Sequence, residues 1–190
     1  IFDMANFYKS FKQYDKAIKL YSDLLNKVGK DSNSYADILY RRGGSFERLK
    51  KFKKSDEDLL LSLKIKPSDP YVMNYLAYSW LERGYEIDKA LLMLEDAYRQ
   101  KENDPYIIDS IGWAYFLTKD YKKAEKYLIQ AVQLMPDDPI VNDHYGDILW
   151  KLDKKIQARY FWKNTLKLKD IEEEMKNKIK EKILKGLDNI

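Results

Sequence analysis

The chain has 190 residues, 45% of them hydrophobic, with 16 Tyr but only 7 Gly and 5 Pro. This composition favours a packed helical protein over a disordered chain. The net charge of +4 is too small to require a nucleic-acid or membrane partner, and the absence of cysteine excludes disulfides and thiolate metal sites.

The first segment, residues 1–31, is predicted to hold an incomplete pair of helices. A first helix runs from Ile1 to about Ser10, and apolar residues at helical spacing mark a second helix at Tyr14, Ala17, Tyr21 and Leu24. The chain begins inside the predicted first helix and without Met. We therefore interpret the sequence as a fragment of a longer protein.

Residues 36–69 are predicted to form the next helix pair, with an unusual polar content. Arg42 lies where the pattern favours leucine, and Ser55 and Ser62 replace small apolar residues. About four extra residues, 32–35, are expected to separate this unit from the first one.

The three following units, residues 70–104, 105–138 and 139–172, repeat one pattern. Gly112 and Gly146 lie 34 residues apart, and so do Ala124 and Ala158. Small residues at these positions allow the two helices of a pair to approach closely. The extra residue of the unit 70–104 is expected in the turn around residues 84–86, where an insertion costs little.

The same three units each open with an aspartate followed by a proline. Proline is tolerated at the first position of a helix, and a preceding aspartate is a favourable N-cap. We therefore predict helix starts at Asp69 and Pro70, at Asp104 and Pro105, and at Asp138 and Pro139.

The last segment, residues 171–190, is predicted to be one amphipathic helix. Its apolar stripe has a spacing of four residues and consists of Ile171, Met175, Ile179, Ile183 and Leu187. An array of helix pairs needs its open end covered, so we interpret this segment as a capping helix. A coiled-coil or partner-binding helix is the alternative.

The pattern of residues 105–138 resembles the tetratricopeptide repeat, a helix-turn-helix unit of about 34 residues. The resemblance depends on Ile108, Ile111, Gly112, Tyr115, Ala124, Leu128, Ala131 and Pro136. It implies an all-α fold: one continuous right-handed superhelical solenoid of antiparallel helix pairs, closed by the C-terminal capping helix.

Residues 70–170 also resemble a narrower group, the tetratricopeptide-repeat proteins and lipoproteins of proteobacterial cell envelopes. The similar segments are DPYVMNYLAYSW, DSIGWAYF, DDPIVNDHYGDILW and ARYFW. This resemblance implies an adaptor associated with the outer membrane, in the periplasm, whose partner is a periplasmic protease or an envelope assembly factor. A cytoplasmic location is the alternative.

In such a solenoid the first helix of each pair lines the concave side. Residues spaced three and four apart, opposite the packing stripe, share that face. The predicted partner-binding groove consists of Tyr71, Asn74, Tyr78, Tyr106, Asp109, Trp113, Phe116, Asp143, Asp147 and Trp150. Aromatic residues with polar groups are frequent recognition anchors. We expect a scaffold that binds a peptide segment or partner protein with apolar and some basic residues.

The sequence suggests two functions other than a scaffold. A metal-dependent enzyme would use His144 with Asp143 and Asp147, but one histidine and two aspartates are too few ligands, and no catalytic motif is present. We therefore predict no metal, no cofactor and no enzyme activity. An RNA-binding helical repeat is the remaining alternative. It is favoured only by a basic cluster of Arg41, Arg42, Arg48, Lys50, Lys51, Lys53 and Lys54.

Overall fold

The computed structural model describes residues 1–169 and 171–187, and its regular elements are α-helices joined by short turns. In chain order the helices are α1 Phe2–Ser10, α2 Tyr14–Leu25, α3 Asn33–Arg48, α4 Phe52–Ile65, α5 Pro70–Glu82, α6 Ile87–Gln100, α7 Pro105–Leu117, α8 Tyr121–Leu134, α9 Pro139–Lys151, α10 Lys155–Thr165 and α11 Glu173–Lys185. The predicted all-α class is confirmed. Within the described ranges, no helix is both long and apolar enough to cross a membrane.

The chain divides into two compact units, Ile1–Arg83 and Gly84–Ile190. The first contains α1 to α5 and the second α6 to α11, so the boundary falls in the turn where an extra residue was expected. Gly84 and Glu86 in this turn both have positive φ, of 63° and 48°. The prediction of one continuous solenoid, with its repeat boundaries, stays a prediction.

The first unit is built from the pairs α1–α2 and α3–α4, followed by α5. A core at its amino-terminal end joins the first three helices through Ala5, Ala17, Tyr21, Leu25, Ile38 and Leu39, all at most 7% exposed. Ala5 and Ala17 lie 12 residues apart, as do Gly112 and Ala124. The first pair therefore packs through small residues in the same register as the later ones.

Hydrogen bonds between helices account for Arg42 and Ser62 in the second helix pair, whereas the hydroxyl of Ser55 is buried and has no hydrogen-bond partner among the described residues. The guanidinium of Arg42 donates hydrogen bonds of 2.7 Å to both carboxylate oxygens of Asp58 and one of 3.0 Å to Ser22. The hydroxyl of Ser62 donates to the carbonyl oxygen of Ala36. The bidentate pair with Asp58 links α3 to α4, and the bond to Ser22 links α3 to α2. A leucine at this position would have supplied only apolar packing.

Residues 32–35 are not the insertion that the sequence suggested. Ser32 is the N-cap of α3, and its hydroxyl accepts a hydrogen bond from the backbone N–H of Tyr35. The following residues form the first turn of α3, which begins at Asn33. The prediction was wrong because a capping serine can extend a helix backwards beyond its periodic apolar residues.

In the second unit, α7 and α8 pack closely, as do α9 and α10. A Cβ atom added to Gly112 would lie 2.8 Å from the side chain of Leu128 on α8. One added to Gly146 would lie 2.5 Å from the indole of Trp162 on α10. The predicted close helix contacts at both glycines are confirmed.

The predicted helix starts are confirmed as well. In α5, α7 and α9 the aspartate carboxylate accepts backbone N–H bonds from the second and third residues after it, and proline occupies the first helical position. At α9, Asp138 accepts from Ile140 at 2.9 Å and from Val141 at 3.1 Å. These caps satisfy N–H groups that have no partner inside the helix.

Replacing Asp138 by alanine is expected to lower the free energy of unfolding by about 1 kcal/mol, because the cap bonds are lost. Chemical denaturation followed by circular dichroism measures this change. Asp137→Ala is the matched control, since Asp137 is exposed in the preceding turn. Equal effects of the two substitutions would contradict a capping role for Asp138.

The last helix, α11, covers the end of the second unit. Ile179 is fully buried, and the backbone carbonyl of Ile183 accepts a hydrogen bond from Arg159 on α10. Gly186 ends the helix with φ of 74°, and a Cβ there would lie 2.0 Å from the indole of Trp150. The prediction of a C-terminal capping helix is confirmed for Glu173–Lys185, a shorter helix than the predicted 171–190, of which residues 188–190 lie outside the described residues.

Candidate functional site

The predicted groove residues belong to both units, and each unit is described separately. In the first unit, Tyr71, Asn74 and Tyr78 lie on α5. Tyr71 is 48% exposed, whereas Tyr78 and Asn74 are half-buried. The side-chain oxygen of Asn74 is buried and accepts no hydrogen bond from the described residues. This part of the predicted site is an amphipathic, tyrosine-rich helix face.

In the second unit, three parallel rings form what we call the aromatic column: Phe116 and Trp113 of α7 and His144 of α9. The rings of Trp113 and Phe116 stack with centroids 4.7 Å apart and planes 8° apart. Those of Trp113 and His144 are 4.1 Å and 10° apart. Trp113 and Phe116 remain half-buried, so the column is partly open to solvent.

Asp109 holds the histidine of the aromatic column in place. Its carboxylate oxygens lie 3.0 and 3.1 Å from Nδ1 of His144. Because a carboxylate can only accept, Nδ1 is the nitrogen that carries the proton. Both side chains are at most 7% exposed. Asp109 is thus a positioning residue for the column and does not present its charge to solvent.

Asp143 and Asp147 share a single ammonium group, that of Lys182 on α11. Its Nζ donates hydrogen bonds of 2.8 Å to Asp143 and of 2.8 and 2.9 Å to the two oxygens of Asp147. The indole N–H of Trp162 donates a further bond of 2.9 Å to Asp147. We call Asp143, Asp147 and Lys182 the buried ion cluster.

The buried ion cluster contains two carboxylates but one ammonium. The pKa values of Asp147 and Lys182 are therefore shifted from their usual values. Burial, followed by the charge of Asp143, raises the pKa of Asp147 to about 7, against the opposite effect of Lys182. Burial also opposes the charge of Lys182, but the carboxylates of Asp147 and Asp143 raise its pKa above the usual value. Lys182 therefore stays charged at neutral pH, whereas the carboxyl group of Asp147 has its pKa close to neutral pH.

The remaining predicted groove residues of the second unit differ in exposure. Trp150 is buried under Gly186, with the guanidinium of Arg159 4.7 Å from its ring centroid. Tyr106, near the start of α7, is 62% exposed. Asp143, Asp147 and Trp150 thus face the capping helix, and the accessible part of the predicted site in this unit is Tyr106 with the aromatic column.

The chemistry available at this surface is recognition of apolar groups. All three aspartates have partners within the chain, so the acidic character expected from the sequence is neutralised internally. The indole N–H of Trp113 is buried and has no acceptor among the described residues. Across those residues no group of three or more His, Asp or Glu side chains could hold a metal ion.

Comparisons with known proteins agree with the helix-pair architecture. The family model described as Tetratricopeptide repeat matches residues 107–138. A TPR repeat-containing protein of Pseudomonas aeruginosa is 27% identical over 135 residues, which are 71% of this chain and 22% of that protein. Residues 107–138 therefore form a tetratricopeptide repeat, and the chain is similar to tetratricopeptide-repeat proteins. Such repeats stack into extended binding surfaces, the architecture of a protein–protein interaction scaffold.

Solved tetratricopeptide-repeat structures share the fold across nearly the whole chain. PilW, a widely conserved type IV pilus biogenesis factor, has a TM-score of 0.77 and 17% identity, with coverage of 98% of this chain and 85% of PilW. A thermophilic TPR protein of Thermus thermophilus has a TM-score of 0.75 and 19% identity, with 96% and 97% covered. The chain spans about a fifth of the length of the curated relatives it matches.

The structure also shows a charged cluster that was not predicted as a site. In the first unit, burial and the charge of Arg41 lower the pKa of Lys9 to about 8. Nearby, the hydroxyl of Tyr75 donates to Glu47 at 3.1 Å and to the carbonyl oxygen of Gly44 at 3.3 Å. Sequence reasoning missed Lys9 because its helix belongs to an incomplete repeat.

The basic residues that favoured RNA binding are partly engaged within the first unit. Arg42 pairs with Asp58, and Lys51 lies 3.2 Å from Asp15. The ammonium of Lys54 lies 5.6 Å from the ring centroid of Phe46. These contacts link helices within the first unit. The basic cluster therefore has a structural explanation that does not involve RNA.

Proposed function

We propose that this protein is an adaptor that binds an apolar peptide segment of a partner protein over α7, on Tyr106 and the aromatic column. The observation that supports this function is the column itself: three stacked, parallel rings on α7 and α9, of which Trp113 and Phe116 remain half-buried and His144 is buried. Flat aromatic rings provide a large contact area with few rotatable bonds, and they dominate many binding surfaces.

The expected ligand follows from the charges around the column. Asp109 is hydrogen-bonded to His144, and Asp143 and Asp147 are both paired with Lys182. A basic partner would therefore gain little from these carboxylates. We propose a segment with leucine, phenylalanine or proline side chains that stack on Trp113, held at its end by the exposed ring of Tyr106.

We further propose that the adaptor works in a bacterial envelope complex. Two observations support this: the curated relative from Pseudomonas aeruginosa, and the fold shared with PilW, whose name as a pilus biogenesis factor describes an assembly role. A periplasmic protease or an envelope assembly factor is the corresponding partner. Fractionation of the native cells, with immunodetection of the protein, tests the compartment; recovery in the cytosolic fraction alone would contradict it.

Replacing Trp113 by alanine is expected to weaken peptide binding at least about tenfold, since aromatic anchors carry most of the energy at such surfaces. The measurement is selection of ligands from a displayed peptide library on the wild-type protein, followed by titration calorimetry of the selected peptides. Circular dichroism checks that the variant remains folded.

Tyr160→Ala is the control for this experiment, because Tyr160 is an accessible aromatic residue, 61% exposed, on α10 and is not part of the column. Binding should be unchanged in this variant. Peptides that bind the Trp113 variant as tightly as the wild type would place the interaction surface elsewhere.

A further inference from the structure

The first unit contains a half-buried group of polar and aromatic side chains that we call the Lys9 site: Lys9 of α1, Tyr40, Arg41 and Gly44 of α3, and Tyr75 of α5. A Cβ atom added to Gly44 would lie 3.2 Å from the ammonium of Lys9 and 3.3 Å from the hydroxyl of Tyr75. The ammonium also lies 5.9 Å from the ring centroid of Tyr40. Three helices therefore bring an ammonium and two phenols together over one glycine.

The charges at the Lys9 site are unbalanced. Burial and then the charge of Arg41 lower the pKa of Lys9 to about 8, and the carboxylate of Glu47 opposes this with a smaller effect than that of Arg41. Glu47 already accepts a hydrogen bond of 3.1 Å from the hydroxyl of Tyr75. A half-buried cation beside a second cation is costly unless negative charge is supplied.

Arg41 also lacks a polar partner. Its Nε atom is buried and has no hydrogen-bond acceptor among the described residues. Its guanidinium lies 5.2 Å from the ring centroid of Phe2, a contact that leaves the N–H donors of the group unused. Two cations with incomplete partners in one place are the arrangement expected of a site for an external anion.

We propose that the Lys9 site binds a carboxylate of an acidic peptide segment, from a glutamate or aspartate side chain or from a C-terminus. The carboxylate pairs with the ammonium of Lys9 and the guanidinium of Arg41, beside the rings of Tyr40 and Tyr75. These rings already contact each other edge to face, with centroids 5.8 Å apart. The site lies in the first unit and takes an acidic ligand, so it is separate from the aromatic column and goes beyond the function proposed above.

The structure favours a carboxylate over a phosphate group. Lys9 lies in the last turn of α1 and Arg41 in the middle of α3, so the site does not include the helix N-terminus at which phosphates commonly bind. A nucleic acid would require a row of available cations. The neighbouring Arg42 and Lys51 are instead paired with Asp58 and Asp15.

NMR titration of the full ¹⁵N-labelled chain with short acetylated peptides tests the proposal. A C-terminally amidated peptide with two glutamates is expected to shift the amide signal of Gly44 and to bind at least about tenfold more tightly than its glutamine counterpart. The glutamine peptide with a free C-terminal carboxylate tests the other source of the group. Tighter binding of either acidic peptide supports the proposal. Equal binding of all three, or tighter binding of a phosphoserine peptide, overturns it.

Replacing Lys9 by methionine is expected to weaken binding of the glutamate peptide at least about tenfold, because the charge-assisted pair is lost. Lys19→Met is the matched control: Lys19 is exposed on α2, and its loss changes the net charge by the same amount. Circular dichroism checks that both variants are folded. Equal weakening by the two substitutions would reduce the effect to net charge and overturn the proposal.

The pH dependence of binding gives an independent measurement of the role of Lys9. The charged and titratable groups around Lys9 are Tyr14, Tyr40, Arg41, Glu47, Arg48 and Tyr75. Burial raises the pKa of Tyr40 and of Tyr75, so these phenols stay neutral up to pH 9.

Lys9 loses its proton between pH 7 and pH 9, since its pKa is about 8. At constant ionic strength the affinity of the wild type for the glutamate peptide is therefore expected to fall at least about threefold over this range. The affinity of Lys9→Met should not change. A wild-type affinity that is the same at both pH values, or an equal fall in Lys9→Met, overturns the role given to Lys9.

Discussion

Replacing Gly146 by valine is expected to lower the free energy of unfolding of the second unit by about 3 kcal/mol, the upper part of the usual cost of overpacking. The reason is the 2.5 Å separation between an added Cβ and the indole of Trp162. Trp162 is fully buried and donates a hydrogen bond to Asp147, so its ring has no room to retreat. Urea denaturation followed by circular dichroism measures the loss.

A second glycine provides the control for this substitution. Gly29 has no atom within 4 Å of an added Cβ, and it lies in the turn between α2 and α3. Gly29→Val is therefore expected to change the stability by less than about 0.5 kcal/mol. If Gly146→Val shifted the denaturation midpoint no further than Gly29→Val, α9 and α10 would not approach as closely as the structure shows.

Replacing Lys182 by methionine is expected to cost about 3 kcal/mol at neutral pH. Methionine keeps most of the volume of the side chain but leaves Asp143 and Asp147 without their ammonium partner in a buried site. When one member of a buried ion cluster is removed, the remaining charges stay buried without a partner, and the cost of their desolvation is no longer offset. Thermal or urea unfolding at pH 7 measures the difference from the wild type.

The loss should become smaller as the pH falls. Burial already raises the pKa of Asp147 to about 7 in the folded chain, from 3.8 when unperturbed. Without Lys182 its pKa rises further, so between about pH 7 and this higher pKa the folded variant holds a proton that the folded wild type has released. The loss relative to the wild type therefore shrinks as the pH falls from about 9 to about 7 and changes little below pH 7, where both folded proteins carry the proton. A stability loss that is the same at pH 9 and pH 7 would contradict the electrostatic explanation.

Lys178→Met is the matched control on the same helix. Lys178 pairs with Glu174 at 3.0 Å, but both side chains are at least 65% exposed. Solvent screens an ion pair of this kind, so its removal should cost less than about 0.5 kcal/mol at any of these pH values. The comparison separates the buried ion cluster from the general basic charge of α11.

The ion cluster also limits where a partner can bind. Because α11 lies on the face of α9 that contains Asp143, Asp147 and Trp150, the accessible part of the predicted groove in the second unit is restricted to residues of α7. The capping helix therefore has two consequences: it covers apolar surface at the end of the unit, and it neutralises carboxylates that would otherwise attract basic ligands.

Much of the fold could be predicted because its determinants are local. Helix starts at Asp104 and Pro105 depend on residues adjacent in sequence, and the close contact of Gly112 is with Leu128, only 16 residues later in the chain. The same locality explains the error at residues 32–35, since periodicity finds the apolar face of a helix but not a polar first turn capped by Ser32.

The candidate site could be predicted only in part. Periodicity correctly grouped Asp109, Trp113 and Phe116 on one side of α7, but it could not show that the carboxylate of Asp109 faces His144, 35 residues later. Nor could it show that Lys182 contacts Asp143 across 39 residues. These pairings depend on how α9 and α11 are placed against their neighbours.

The sequence by itself determined that this protein is an all-α chain of repeated helix pairs, because the caps, the helical spacing of apolar residues and the small contact residues all act within one repeat of about 34 residues. Only the tertiary structure decided which predicted groove residues remain accessible. Burial of a charge requires a specific partner, and the partners of the three aspartates are provided by distant helices. The Pro105–Leu117 helix consequently contributes aromatic rings, rather than free carboxylates, to the surface that we propose binds a partner.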